Sequence, residues 1–438
     1  MFREGGRNPF APEIDSMAAT AQTSDETKPE TILDHEIGPA KLDIPAMLVK
    51  AKAESGRSTF SIAKEMGRFV MGKAKLNGDQ YFAWRIYDDR LFTADQKSEF
   101  IGAKRSRQVN WDINTVTHLL SFVDNKVLFG AALTSSGIRY PERVAIVSDA
   151  RLPKGMGWLK GKDATADFLR TTDAYPLFGK PITGNATQSA GVVSLTGYDA
   201  ASDTLTRHDG TALDVDVFAE EVNEFFGPGG YLFQKRVFPH PDIVAASGTG
   251  LGTVRLVTVN EGDGPRPLYA AWKITARDAV ADNFWREGNL LADVDIETGS
   301  LRRVRTGGGF RFEEVETHPE TGAQLLGWTL PDWAEAVETV LDAHSLVPMV
   351  GIIGWDLALA EEGPTIIEAN TFPNHTLYQD ATGRGVFSES VLRGVHGRAI
   401  ARKAAKDAET KARVKTLNRS WKRDQLQNIR DGLGRDDA

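Results

Sequence analysis

Apolar residues recur at helical spacing through the first third of the chain. Between Ile44 and Leu76 they fall at Met47, Leu48 and Ala51, then at Phe60, Ile62, Ala63, Met66, Phe69 and Val70, which predicts amphipathic helix. A second helical block is predicted from Gln80 to Ile101, holding Tyr81, Phe82, Trp84, Ile86, Tyr87 and Leu91, with an N-cap at Thr93 or Asp95. Asn114 to Ser136 reads as a third, containing Asp124-Asn-Lys-Val-Leu-Phe129 and ending before Gly137 and Pro141. The period then shortens. Arg143–Val147, Tyr175–Pro181, Gly191–Thr196, Gly230–Val237, Thr253–Val259, Leu268–Ile274 and Leu290–Ile296 read as strands, with a hairpin at Asp209-Gly210. Helical period returns over 163–171, 214–226 and 331–344, and residues 387–438 are mostly helical and rich in Lys and Arg. Residues 1–35 are rich in Ala, Thr, Ser, Glu and Pro, lack periodicity and are expected to be disordered. Helices first and mixed elements afterwards predict an α+β protein.

The alternation is most informative from Gly354 to Asn370. Two strands joined by a turn at Glu361-Glu362-Gly363 are expected, with the turn centred on Glu362. Pairing outward sets Ala360 against Pro364, Ala358 against Ile366, Asp356 against Glu368 and Gly354 against Asn370. Asp356, Glu368 and Asn370 then share one face, and Trp355, Leu357, Leu359, Ile367 and Ala369 the other, which is core. Directly opposed side chains have Cβ atoms roughly 5 Å apart, where like charges repel. Two carboxylates so placed call for a cation, and their oxygens suit magnesium, which takes one or two carboxylates together with phosphate oxygens. A solvated hairpin with two acidic residues on its wet face gives the same pattern.

Composition narrows the chemistry. A chain of 438 residues is too long for one ordinary core. Its 41% hydrophobic and 26% charged content is that of a globular protein. A net charge of -8 argues against a general nucleic-acid binder. With no cysteine, a thiol nucleophile, disulfides and cysteine-ligated metals are excluded, and eight histidines without HExxH speak against a zinc hydrolase. No apolar run reaches the length of a membrane span, and the N-terminus lacks an apolar signal core, so a cytoplasmic location is expected.

Other candidates stand on strands. Lys180 ends a strand before the polar loop Ile182–Gly191, the arrangement of a phosphate clamp, although a hairpin with an exposed lysine would read alike. Arg255 and Lys273 each alternate with apolar neighbours, and a cation aimed into a cleft would stabilise phosphoryl-transfer charge. Tyr231-Leu-Phe-Gln-Lys-Arg-Val-Phe-Pro239 is an apolar strand running into charged residues and a proline.

Taken in order, these segments resemble the ATP-grasp superfamily. The hairpin has its Asp…Glu-x-Asn form, Lys180-Pro181 precedes the phosphate loop, and Thr253-Val-Arg255 matches its Thr-x-Arg. Asp282-Asn-Phe-Trp-Arg-Glu-Gly-Asn289, Asp293-Val-Asp-Ile-Glu-Thr-Gly299 and His318-Pro-Glu-Thr-Gly322 resemble the sugar-transfer-associated ATP-grasp group. The likeness runs from roughly Tyr81 to Phe387. Three departures stand out: the phosphate loop keeps only Gly184 and Gly191 as glycines, Asn289 replaces a second glycine, and Gly354 occupies a place where many such ligases carry arginine.

The resemblance implies two α+β lobes clasping Mg·ATP. A disordered N-terminus (1–35), a helical region (36–145), a nucleotide lobe (146–236), a catalytic lobe (237–395) and a basic C-terminal helix (396–438) are expected. It implies magnesium on Asp356, Glu368 and Asn370. Nucleotide contacts fall to Lys180, Lys273, Gln234, Lys235, Arg236, Val237 and Asp242, with His240 as an alternative at the ribose. Catalytic roles fall to Arg255, Lys273 and Asn283, with Arg311 an alternative to Arg255 at the oxyanion. The implied chemistry is ADP-forming ligation of a small-molecule carboxylate to an amine or other nucleophile, with residues 80–115 and 282–313 contributing to the substrate pocket. An ATP-grasp kinase and a nucleotide-binding scaffold without turnover remain open. The basic helix from Ala399 to Arg430 is expected to be solvated or to serve an oligomer contact, with an anionic partner or a membrane surface as the alternatives.

Overall fold

The computed structural model describes residues 43–182, 191–276, 288–306 and 312–433. Among the described residues seven α-helices come first: α1 (Ile44–Ser55), α2 (Thr59–Met71), α3 (Gly78–Ala83), α4 (Ala94–Ser98), α5 (Ala103–Ile113), α6 (Leu120–Asp124) and α7 (Lys126–Ser135). The amphipathic stretch from Ile44 is therefore two helices, divided at Gly56, whose φ of 71° ends α1, and Ser58, which caps α2. The block from Gln80 to Ile101 is not one helix. Its aromatic residues fold into a knot, with Tyr81, Phe82, Trp84, Ile86, Tyr87 and Phe100 buried together, and only α3 and α4 are helical. Packing overrides helical period there. The stretch from Asn114 is likewise broken. Asn125 leaves helical geometry and its side chain accepts from the Val127 and Leu128 amides, so α7 starts afresh at Lys126.

Two sheets follow. The first holds β1 (Arg143–Val147), β2 (Trp158–Leu159), β3 (Leu177–Pro181), β4 (Val193–Asp199), β5 (Thr204–Arg207), β6 (Ala212–Asp214) and β7 (Tyr231–Lys235), in the order β2-β1-β7-β3-β4-β5-β6. Helices α8 (Gly161–Thr171) and α9 (Val215–Phe226) cover one face, burying Leu177, Val193, Leu195, Tyr231 and Phe233 against Ala166, Leu169, Phe218 and Val222. Period-2 alternation sends Phe178, Lys180, Ser194 and Gln234 to the other face.

The second sheet holds β8 (Thr253–Asn260), β9 (Pro265–Ile274), β10 (Leu290–Val294), β11 (Leu301–Thr306), β12 (Glu313–Glu314), β13 (Ile352–Ala360) and β14 (Gly363–Asn370), in the order β12-β11-β10-β9-β8-β13-β14. The largest core lies on one face. Val254, Leu256, Trp272, Leu290, Trp355 and Leu357 pack there with α11 (Trp333–Ser345), α10 (Pro241–Ser247) and residues of α6 and α7. The opposite face carries α12 (Thr376–Thr382) and the start of α13 (Gly394–Leu433), a helix of 40 residues. His396 of α13 pairs with Asp112 at 2.8 Å, and Arg398 and Arg402 hold Glu261. From 403 to 428 every side chain but Ser420 is exposed.

The hairpin differs in detail from its expected register. The turn has two residues, Glu361 and Glu362, so Ala360 pairs with Gly363, Ala358 with Thr365 and Leu357 with Ile366. Gly363 takes φ 108°, a value glycine adopts without strain. A bulge at Ile367 then restores the frame, so that Asp356 opposes Glu368 and Gly354 opposes Asn370. It also moves Ile367 out of the core to the cleft, while Ile366 is fully buried.

Candidate functional site

A cavity of about 780 Å³ opens between the sheets. The first sheet lines it with Phe178, Lys180, Ser194 and Gln234, and the second with Thr253, Asp356, Ile367 and Glu368. The chain crossing from β7 to α10 forms a third side. Lys235, Arg236 and Val237 line the cavity there. The amides of Lys235 and Arg236 donate to Glu142 O and Pro176 O, so of these three amides only that of Val237 lacks a backbone partner among the described residues. The side chain of Gln234 is buried and donates to Pro141 O at 3.1 Å, and that of Lys235 turns outward to Glu142 at 2.8 Å. Asp242 lies outside the lining. It sits exposed in the first turn of α10, where His240 Nδ1 accepts its backbone amide at 3.1 Å. His240 therefore serves as the cap of α10.

Asp356 is the hub of the polar face. Arg255, its cross-strand neighbour on β8, presents Nε and Nη2 to the two carboxylate oxygens at 2.9 Å each. Lys273 Nζ reaches Oδ1 at 2.9 Å, and Asn370 Nδ2 donates to Oδ2 at 3.3 Å. Burial would raise the Asp356 carboxyl, but the two cations outweigh it and hold it well below the usual carboxylate range. Gly354 leaves room for this arrangement. A Cβ at that position would lie 2.7 Å from Pro373 Cβ and 3.3 Å from Arg255 Cδ, so the absent arginine has no space.

Glu368 faces the cleft beside two lysines. Lys126 Nζ lies 3.3 Å from its Oε1, and Lys180 Nζ donates to the neighbouring Ile367 O at 3.3 Å. Lys180 is 6% exposed and packs over the Tyr140 ring; burial pushes its ammonium down to about 8. A buried ammonium favours an arriving anion.

Sequence reasoning passed over Lys126 and Asp124. Asp124 accepts from the Thr371 hydroxyl and amide, tying the end of β14 to α6. The available signal was Asn125, an N-cap residue directly before Lys126. His375 also went unread. Asn110 Nδ2 donates to Pro373 O, which orients that amide. His375 Nε2 therefore donates to Asn110 Oδ1, leaving Nδ1 to accept from the Tyr269 hydroxyl. Burial, with Arg255 nearby, lowers its pKa to about 3 and keeps it neutral, so it braces the loop behind the site.

The donors suit a hard divalent cation in kind: two carboxylates and an amide oxygen. Among the described residues no group of three or more His, Cys, Asp or Glu is gathered. An ion here would complete its shell from ligand oxygens and water, as magnesium does.

The same face continues across the sheet. The row Asp356, Arg255, Ala271, Asp293 and Arg303 runs through direct cross-strand partners. At its far end a second cavity, about 660 Å³, lies among Phe92, Glu99, Asp293, Arg302, Tyr378 and Arg384. Three strand spacings, about 14 Å, separate its row position from Asp356. Asp282, Asn283 and Arg311 lie outside the described residues, as do most of the polar loop after Lys180 and the first 42 residues. Asn289 flanks one gap, its buried Oδ1 accepting from Ala276 N at 2.6 Å. Asp295 makes a local turn, its Oδ1 accepting from the Glu297 and Thr298 amides.

Among solved structures, the chain is similar to the D-alanine-D-alanine ligase from Coxiella burnetii, with 13% identity over 67% of this chain and 62% of that one, at a TM-score of 0.36. It thus spans less than two thirds of that enzyme's length. A D-alanine-D-alanine ligase from Bacillus anthracis complexed with ATP gives 15% identity over 66% and 70%, at 0.35, and an L-amino acid ligase from Bacillus licheniformis gives 13% over 57% and 41%, at 0.30. No curated protein matches the sequence. The family described as sugar-transfer associated ATP-grasp matches residues 104–395, from α5 through both sheets to the first residues of α13. That stretch is well over half of the chain and contains both walls of the cleft, and the protein belongs to the sugar-transfer associated ATP-grasp family.

Proposed function

We propose that this protein is an ATP-dependent, ADP-forming ligase that joins a small-molecule carboxylate to an amine or other nucleophile. One observation carries the reading. Lys180, Asp356 and Glu368 line a single inter-sheet cavity, with Lys126 paired to Glu368 and Arg255, Lys273 and Asn370 on Asp356 behind them, in a chain that belongs to an ATP-grasp family. Adenine would lie against Phe178 and the crossing at Lys235–Val237, where the Val237 amide offers a donor. Lys180 and Lys126 would take the phosphates.

The substrate carboxylate oxygen attacks the γ-phosphorus and the bond to the β-phosphate oxygen breaks, giving an acyl phosphate and ADP. The nucleophile then attacks the acyl carbon, inorganic phosphate leaves, and an amine nucleophile gives up a proton. No side chain has to form a covalent bond, which agrees with a chain that has no cysteine. Asp356, Glu368 and Asn370 would hold magnesium, which when bound draws charge from phosphate oxygens. Arg255 and Lys273 would stabilise charge on the transferred phosphoryl group and, later, on the tetrahedral oxyanion. We assign the second cavity to a substrate.

A second reading, nucleotide binding without turnover, is favoured by the engagement of both Asp356 oxygens by Arg255 and Lys273. Calorimetric titration with ATP, with and without magnesium, tests the site, and ADP release across acid–amine pairs tests turnover. Magnesium-dependent binding that Glu368→Gln abolishes, followed by ADP release needing both substrates, supports ligation. ADP release with one substrate alone would make it a phosphotransferase. Binding with no release under any pair would favour the second reading, and no binding would reject the site.

A further inference from the structure

The outer part of α13 is a cationic arm with an apolar edge. From Lys411 to Arg423 it carries six cations, Lys411, Arg413, Lys415, Arg419, Lys422 and Arg423, and no acidic residue, on a protein whose net charge is -8. Val414, Leu417 and Trp421 fall at i, i+3 and i+7, so they share one face. They are 50%, 57% and 61% exposed. At 100° per residue, Lys411, Lys415 and Lys422 border this stripe on one side and Arg413 on the other. Among the described residues no helix is long and apolar enough to cross a membrane.

We propose that this arm docks the protein on an anionic lipid surface. Charge complementarity selects a polyanionic partner, and the stripe selects among polyanions. A helix with a cationic flank and a Trp-bearing apolar edge lies in the plane of a bilayer interface, cations over headgroups and tryptophan at the acyl boundary. On a nucleic-acid groove the cations would be satisfied but Val414, Leu417 and Trp421 would stay in water. Pairing two copies through the stripe would set Lys411, Lys415 and Lys422 against their counterparts, where like charges repel. The inference does not depend on the nucleotide site.

The experiment is co-sedimentation of the full chain with phosphatidylcholine vesicles, with and without phosphatidylglycerol, at low and physiological salt. Binding to the anionic vesicles alone, weakened by salt, is expected. Replacing Lys411, Lys415, Arg419 and Lys422 together by Glu should lower it at least about a hundredfold, at about fivefold per cation removed. Trp421→Ala should lower it about tenfold. Both variants should keep the parent's circular dichroism spectrum and urea midpoint, which shows that they fold. Failure to bind anionic vesicles, or equal binding by the charge-reversed variant, overturns the proposal. So does tight binding to a DNA duplex that ignores Trp421→Ala while the vesicles are left free. A dimer that dissociates in Trp421→Ala, without vesicle binding, would assign the stripe to a second copy instead.

Discussion

Arg255 grips Asp356 fork to fork, with each carboxylate oxygen 2.9 Å from a guanidinium nitrogen, on adjacent strands of one sheet. The pair is nearly buried, and Lys273 completes it. Removing one member of such a cluster strands the others in low dielectric. Asp356→Asn should therefore cost about 3 kcal/mol of stability and also abolish magnesium-dependent ATP binding. Urea unfolding beside calorimetry separates the two effects. An unchanged midpoint would show that the ion pair contributes nothing to folding. Arg255→Lys keeps the charge but loses the fork.

Glu368→Gln should behave differently. Its side chain is 36% exposed, although its partner Lys126 is only 7% exposed, so the loss in stability should be about 1 kcal/mol, less than for Asp356→Asn. Magnesium-dependent ATP binding should vanish all the same. A variant that binds Mg·ATP like the parent would remove Glu368 from the metal site.

Lys180→Ala and Lys126→Ala should each weaken ATP binding about tenfold or more, with or without magnesium, if both cations take the phosphates as proposed. Parental affinity in either variant would reject that lysine as a clamp.

Asp380 on α12 accepts the Trp84 indole N–H at 2.7 Å, and burial raises its pKa to about 6. Between the unfolded value near 4 and about 6 the folded protein holds more protons than the unfolded chain. Stability should therefore fall as pH rises through this window, by about 3 kcal/mol in all. Asp380→Asn keeps the acceptor for Trp84 and should flatten that slope. Denaturant unfolding at about pH 4 and about pH 7 measures it, and an equal slope in the variant would contradict the assignment.

Some of this was legible because strand period is simple. Alternation from Gly354 to Asn370 is enough to set Asp356 opposite Glu368, and the strands pair there. The route to that pairing was not legible, since a tighter turn, which uses the positive φ of Gly363, and a bulge at Ile367 compensate each other. Lys126 was hidden because its partner lies 242 residues away in sequence, on β14. The knot around Tyr81 and Phe100 was misread as helix because burial on all sides imitates an amphipathic period. Asp242 was offered to the ribose on resemblance alone, and its position at the exposed start of α10 follows from the capping of that helix by His240.

The crossing between the sheets has a mechanical consequence. Phe238 O accepts the Glu361 amide, Leu359 O accepts the His240 amide, and Pro239 bridges Ala360. The connecting chain is thus stitched to the tip of the hairpin whose opposite end carries Asp356 and Glu368. Any opening of the jaws would have to bend the backbone within Lys235–Phe238 and also at the other crossing, residues 140–142, because Arg139 O accepts the Ile366 amide of the hairpin while Arg143 pairs with Gln234 of the first sheet. One of the two bending segments then coincides with the edge proposed for the base. A ligand wedged against Val237 would set the angle of the jaws directly, and occupancy at one end of the cavity would be felt as alignment at the other.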